Sequence, residues 1–381
     1  MANASKTILM TINTSWNIVN FRSPLIQALQ EAGYRVISAA PDDAHTPALR
    51  ALVAEHYSLP MQNDGTSMLQ DARLFWRYVQ LLRRTRPDAI LAYTIKPNIY
   101  ASFAARLLGI PVINNVSGLG TVFIKQNWLT KVACSLYRAA FSSSAHVFFQ
   151  NNADRQIFID RSLVNAEKTS VIPGSGIDLE AFKPVARATK AAQAACDFVL
   201  IARMLRDKGV QEFVDAARMV KQQHPDCHFR LVGPLGVQNK TAITQTQMQQ
   251  WVDEGVVEYC GEQGDIQAVM AQHDCVVLPS YREGMSRVLL EAAAMGVPMI
   301  TSDVPGCRDV ADHGENGFLC DVRNASDLAK QLMAFIALHA DAKQLMGHKS
   351  RIIAEQRFNQ ARVHRAYVQQ LQRCQSAPWT A

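Results

Sequence analysis

The chain has 381 residues, 48% of them hydrophobic and 19% charged, which excludes a disordered or low-complexity protein and leaves room for two ordinary domains. Its net charge of +6 falls wholly in residues 1–185, which hold 18 Lys and Arg against 12 Asp and Glu, so the first half is expected to face something anionic. No apolar run reaches the roughly 18 residues of a membrane span, and residues 1–12 lack the long apolar region of a secretory signal, so a cytoplasmic chain is expected.

In chain order, residues 8–12 read as a strand, 13–20 as a polar turn around Trp16, and 21–32 as a helix stopped by Gly33. Strands follow over 34–39, 89–93, 112–115 and 146–150, with an amphipathic helix over 74–84. A glycine-bearing turn covers 173–176. This alternation indicates βαβ units and a parallel sheet. Residues 186–195, rich in Ala, Lys and Gln, read as a linker. A second series then begins. Short apolar strands at 198–202, 229–232, 256–260, 275–278 and 299–301 alternate with helices at 210–222, 265–272 and 286–295. The tail over 327–372 has helical composition. The expected domains are therefore 1–185, 196–355 and a terminal segment 356–381. There is no internal repeat.

Eight cysteines are scattered without a CxxC pair, mostly in apolar stretches, as expected of free thiols in a reducing compartment. His224, Cys227 and His228 form the only close cluster of metal-binding types. Pro225 breaks helical spacing there and no second ligand pair lies nearby, so no metal is expected.

The chemistry concentrates in residues 280–310. Glu283, with Gly284 beside it, precedes Glu291 by eight positions, and the expected helix has its first turn over 283–287. A helix N-terminus suits an anion, and Met285, Ser286 and Arg287 would present its N–H groups. Two carboxylates beside an anion site suit a ligand that also carries hydroxyls, since a carboxylate accepts two hydroxyl hydrogen bonds. Phosphate, ribose and sugar hydroxyls together describe a nucleotide sugar. The plain alternative is a capping Glu283 and a solvated Glu291. Arg203 and Lys208 follow the strand at 198–202, at the end of a parallel strand where ligands of such sheets bind. Fixed cations there would stabilise a diphosphate leaving group as its charge develops, although an isolated pair of this spacing also reads as a solvated basic loop.

The pattern Glu283-Gly284 and Glu291-Ala292, with seven residues between the two glutamates, then Met295-Gly296-Val297-Pro298, resembles the donor-site signature of family-4 glycosyltransferases. Ser302-Asp303, Pro305-Gly306 and Gly314-Glu315-Asn316-Gly317 continue it. Ser286 stands where many relatives carry proline. The resemblance implies a GT-B fold, two Rossmann-like parallel-sheet domains facing a central cleft, with the last helix crossing back to the first domain. It implies a retaining enzyme in which Arg203 and Lys208 hold the diphosphate, Glu283 the donor sugar and Glu291 the ribose. Gly233 and the backbone near 260–263 would border the base. UDP is the expected nucleotide, and the cation pair makes a divalent metal unnecessary.

In the first half, residues 93–100, with Lys96, and residues 115–123, with Asn115, Ser117 and Gly118, resemble motifs of bacterial transferases that extend undecaprenyl-diphosphate-linked sugars. Those of the N-acetylgalactosaminyl and galactosyl type are the nearest pattern. They mark a lipid-linked saccharide as the expected acceptor. Many family members carry histidine near the position of Ser117, so the donor-sugar contact is not carried over. Residues 71–86 and 125–138 combine Trp76 and Trp128 with Arg73, Arg77, Arg83, Arg84 and Lys125, the composition of a membrane-surface helix. An aromatic stripe facing a core beneath a solvated basic face gives the same pattern. Peripheral contact with the inner membrane is the expectation. No nucleic-acid module accompanies the charge. The competing functions are a nucleotide-sugar epimerase or hydrolase on the same fold, and a non-catalytic partner in glycan assembly.

Overall fold

A computed structural model describes residues 5–62, 67–119, 128–184, 195–237 and 239–376; Lys125 and most of the expected linker lie outside them. The chain divides into two compact units, Met1–Ser175 with Ala361–Ala381, and Gly176–Gln360.

The first unit carries strands β1 (Thr7–Thr11), β2 (Arg35–Ala40), β3 (Glu55–Ser58), β4 (Ala89–Tyr93), β5 (Val112–Val116), β6 (His146–Phe149) and β7 (Thr169–Val171). They form one sheet, in the order β3-β2-β1-β4-β5-β6-β7, whose pairs are all parallel. Helices α1 (Ser15–Glu31), α2 (Thr46–Leu52), α3 (Met68–Thr85), α4 (Ile95–Leu108), α5 (Trp128–Phe141) and α6 (Asn152–Asp160) connect them. Side chains alternate across the sheet, as strand geometry requires. Ile8, Met10 and Tyr93 pack with Leu25 and Ile26 of α1, whereas Leu9 and Ile90 pack with Leu74 and Tyr78 of α3.

The second unit carries β8 (Asp197–Ile201), β9 (His228–Val232), β10 (Glu258–Tyr259), β11 (Cys275–Leu278), β12 (Met299–Ser302) and β13 (Gly317–Cys320). This sheet is also parallel, in the order β10-β9-β8-β11-β12-β13. Its helices are α7 (Val210–Lys221), α8 (Gln245–Asp253), α9 (Ile266–Ala271), α10 (Arg287–Ala294), α11 (Ala325–Ile336) and α12 (Ala340–Ile353). After a π-helical turn at Ala354–Phe358, α13 (Gln360–Ser376) lays Val363, Tyr367 and Leu371 into the core of the first unit. In each sheet the strand order reverses beside the first strand, between β1 and β4 and between β8 and β11. Such a reversal opens a crevice at the carboxyl ends of the strands, where ligands of this fold class bind.

The sequence reading did not include β3, β7, α2, α4, α6 or α8, and three further elements differ from it. α1 begins at Ser15 because the Thr14 hydroxyl accepts the Asn17 N–H at 3.2 Å, so the polar run read as a turn is a capped helix start. β13 begins at Gly317, the last residue of the Gly314-Glu315-Asn316-Gly317 motif, where no strand was expected, and pairs with β12. The helix expected over 286–295 starts at Arg287 with Ser286 as its N-cap, so the first turn expected over 283–287 is not helical, and the Glu283 and Ser286 N–H groups donate to the Pro305 and Gly306 carbonyls.

Candidate functional site

The second unit carries Arg203, Lys208 and Glu283 on the two loops at the β8–β11 reversal. β8 runs through Ala202 and the exposed Arg203 into a 3-10 turn, Arg206–Lys208, that ends at Gly209. β11 ends at Leu278, and residues 279–283 form the adjoining loop. The loops are joined at several points. The Tyr281 N–H donates to the Asp207 carbonyl at 2.9 Å. The Ser280 hydroxyl lies 2.8 Å from Glu283 Oε1 and 3.1 Å from Asp207 O. The Tyr281 hydroxyl donates to Glu212 Oε1 at 2.7 Å, and the Arg323 guanidinium lies 4.5 Å from the Tyr281 ring centroid. Gly209 has φ +74°, and a Cβ there would stand 2.1 Å from the Pro279 carbonyl oxygen, so only glycine lets the loops approach this closely.

Lys208 Nζ meets Glu283 Oε1 at 2.5 Å, with the side chains 23% and 14% exposed. The pair is partly withdrawn from water, so losing one partner leaves a poorly solvated charge, which is the costly way to break such a pair. Glu283 is held from behind as well. Its N–H donates to the Pro305 carbonyl at 3.2 Å. At Gly306, with φ +80°, a Cβ would come within 2.4 Å of Glu283 O. Arg203 makes no ion pair among the described residues.

Glu291 lies on α10 and accepts Arg287 Nε at 2.8 Å. Burial raises its carboxyl above the usual carboxylate range, with Arg287 pulling the other way. The Arg287 side chain thus orients Glu291, a role separate from the backbone donation expected of that position. The Ser286 N–H is not free for an anion either: it donates to the Gly306 carbonyl at 3.0 Å. Met285 packs against the core and Gly284 is half-buried. Gly233 is buried, its N–H donating to Gly261 O at 2.8 Å and its carbonyl accepting the Tyr259 hydroxyl at 2.9 Å. The Gln263 side-chain amide donates to the Cys260 carbonyl at 2.6 Å.

In the first unit, Lys96 Nζ meets Asp71 Oδ1 at 2.9 Å. They share a cavity of about 330 Å³ with Arg73, Arg77, Pro41 and Pro60, and Arg77 donates to the Pro60 carbonyl at 2.9 Å. Arg73 and Arg77 are exposed and line that pocket. Arg83, Arg84, Trp76 and Trp128 are exposed as expected. Met68 and Leu69, which the sequence reading did not single out, are more than half exposed on the same helix as Trp76. Asn115 is fully buried, with its amide donating to the Tyr367 hydroxyl at 2.9 Å; Ser117 and Gly118 are half-buried beyond it. The buried Tyr78 and Tyr137 of α3 and α5 show that part of both aromatic stripes faces the core.

Residues 195–337 match the family model described as glycosyl transferases group 1, and residues 20–174 match the glycosyl transferase 4-like domain. The N,N'-diacetylbacillosaminyl-diphospho-undecaprenol alpha-1,3-N-acetylgalactosaminyltransferase of Campylobacter jejuni is 28% identical, over 83% of this chain and 85% of that protein. An Escherichia coli UDP-Gal:alpha-D-GlcNAc-diphosphoundecaprenol alpha-1,3-galactosyltransferase is 27% identical over 73% of each. Among solved structures, Anabaena HepE in complex with UDP and glucose superposes with a TM-score of 0.77 at 21% identity, over 96% of this chain and 99% of that one. A Rickettsia africae glycosyltransferase superposes with a TM-score of 0.78 at 15% identity, over 98% and 100%. The two parallel-sheet units are those of the GT-B fold.

Proposed function

The chain belongs to the glycosyltransferases, its first half to the 4-like domain family and its second to group 1, and from that premise we propose that it moves a hexose or N-acetylhexosamine from a UDP-sugar to a saccharide linked to a polyprenyl diphosphate. The product would enter a surface polysaccharide or glycoprotein glycan. The observation that carries the reading is the Lys208–Glu283 pair at the β8–β11 reversal. The C. jejuni and E. coli relatives, whose names specify diphosphoundecaprenol-linked sugars, support the choice of acceptor.

In this reading Lys208 and Arg203 hold the diphosphate, Glu283 takes a sugar hydroxyl and Glu291 the ribose. Lys208 cannot serve Glu283 and a phosphate equally. Donor binding therefore exchanges the ion pair for a Lys208–phosphate contact and a Glu283–hydroxyl contact. The bond from the anomeric carbon to the diphosphate breaks, and the acceptor oxygen bonds to that carbon on the same face, giving retention. The departing diphosphate takes the acceptor proton, so no side chain is assigned as base. Negative charge grows on the diphosphate as the bond breaks, and the two cations stabilise it most at that moment, without a divalent metal. The exposed Met68, Leu69 and Trp76, with Arg83 and Arg84, rest on the anionic inner face of the membrane, each arginine contributing about 1 kcal/mol.

UDP release from UDP-sugars, measured with and without a synthetic polyprenyl-diphosphate sugar, tests this. Release that requires the acceptor, with a glycosylated lipid in the mass spectrum, is expected. Equal release without acceptor would make the protein a hydrolase or epimerase.

A further inference from the structure

The first unit buries a charge that the donor site does not use. Arg22, on α1, is 4% exposed and makes no ion pair or hydrogen bond among the described residues; its Nε is buried without a partner. Its guanidinium carbon lies 4.4 Å from the centroid of the Tyr93 ring. Tyr93 ends β4 and stands opposite Asn115 in the β4–β5 register. The Asn115 amide reaches the Tyr367 hydroxyl, and the Tyr367 ring centroid is 6.2 Å from that of Tyr93. The Tyr93 hydroxyl and Asn115 Oδ1 are likewise buried without partners.

Three unpartnered polar atoms in one quartet demand an explanation, because buried polar groups are nearly always satisfied. Water would fill the hydrogen bonds but would not offset a full positive charge. The face of Tyr93 offsets only part of the cost of burying an ion. The quartet contains no acid. It lies at the carboxyl ends of β4 and β5, beside the β1–β4 reversal, the counterpart in this sheet of the position that Lys208 holds in the other. Thr94, directly after Tyr93, sits at φ +63°, a conformation that a threonine rarely adopts and that tends to persist where a ligand is gripped.

We propose that Arg22, Tyr93 and Asn115, backed by Tyr367, form an oxyanion site in the first unit that takes a phosphate oxygen of the acceptor diphosphate. The identity of the anion rests on the acceptor proposed above; the anion chemistry does not. Arg22 Nε and the Tyr93 hydroxyl donate to the anion. The Asn115 amide turns so that its N–H₂ faces the ligand and its oxygen accepts from Tyr367.

The test is thermal melting of the full chain with UDP saturating, so that the donor-side cations are occupied, for wild type, Arg22→Met and Arg22→Lys. Millimolar pyrophosphate, and separately a water-soluble short-chain prenyl-diphosphate sugar, should raise the wild-type Tm. Arg22→Met should melt about 2 °C higher than wild type without either anion, since an unpaired buried charge is gone, and should show no anion-induced shift. Arg22→Lys should keep part of the shift. The KM for the lipid-linked acceptor should rise about tenfold in Arg22→Met, with the KM for UDP-sugar unchanged. A lower Tm for Arg22→Met, with equal anion shifts in all three proteins, would make Arg22 a water-bridged structural residue and overturn the site. An Arg22-dependent pyrophosphate shift with an unmoved acceptor KM would overturn the acceptor assignment. Absence of any UDP effect would count against the donor reading alone.

Discussion

Lys208 and Glu283 neutralise one another before any donor arrives, and that has a measurable consequence. Glu283→Gln should free Lys208 for phosphate, so UDP should bind about threefold to tenfold more tightly by calorimetry while turnover falls at least about a hundredfold. Weaker UDP binding would show that Glu283 positions Lys208 and does not compete for it. Glu291 adds a pH dependence. Because its folded carboxyl is raised, its contribution to stability is present below the ordinary carboxylate range and is lost as pH rises through the raised value. Ribose hydroxyls bind best to the ionised form, so UDP affinity should climb through that window and then level off, and Glu291→Gln should flatten the profile. Both glutamates and Lys208 were legible because each sits in a short local pattern with its glycine or its partner motif. Asp71, which pairs with Lys96 from 25 positions away, and Glu212, which pairs with Tyr281 from 69 away, were not, since only the folded sheet brings them together.

The loops that carry these residues depend on backbone contacts that no side-chain motif announces. Gly209→Ala forces a Cβ against the Pro279 carbonyl at a positive φ, so it should cost about 2–3 kcal/mol in urea unfolding and reduce turnover by displacing Lys208. Unchanged stability would mean that the 206–209 turn relaxes freely. Tyr281→Phe removes the hydrogen bond to Glu212 while keeping the ring beneath Arg323, and should cost about 1 kcal/mol in the same assay. The short, continuously apolar strands were readable from sequence. The true start of α1 was hidden by a polar run that is in fact a capped helix turn.

Two parallel sheets with the same kind of reversal give each unit a crevice at its strand ends, and the terminal helix belongs to the first unit although the chain reaches it from the second. Tyr367 anchors that helix, wholly buried among Tyr93, Phe148 and Asn115. Tyr367→Ala should therefore cost about 3–5 kcal/mol and lower the first unit's melting transition, with UDP binding retained. Composition and strand spacing were enough to read the two-sheet architecture. Which buried polar residues serve a ligand was not readable, because Asn115 looks the same in sequence whether it faces a substrate or Tyr367. The most direct measurement is single-turnover transfer from a UDP-sugar to a polyprenyl-diphosphate sugar by Lys208→Ala. A rate at least about a hundredfold below wild type, with an unaltered circular dichroism spectrum, is expected. Near-normal transfer by the folded variant would contradict a donor site built on Lys208.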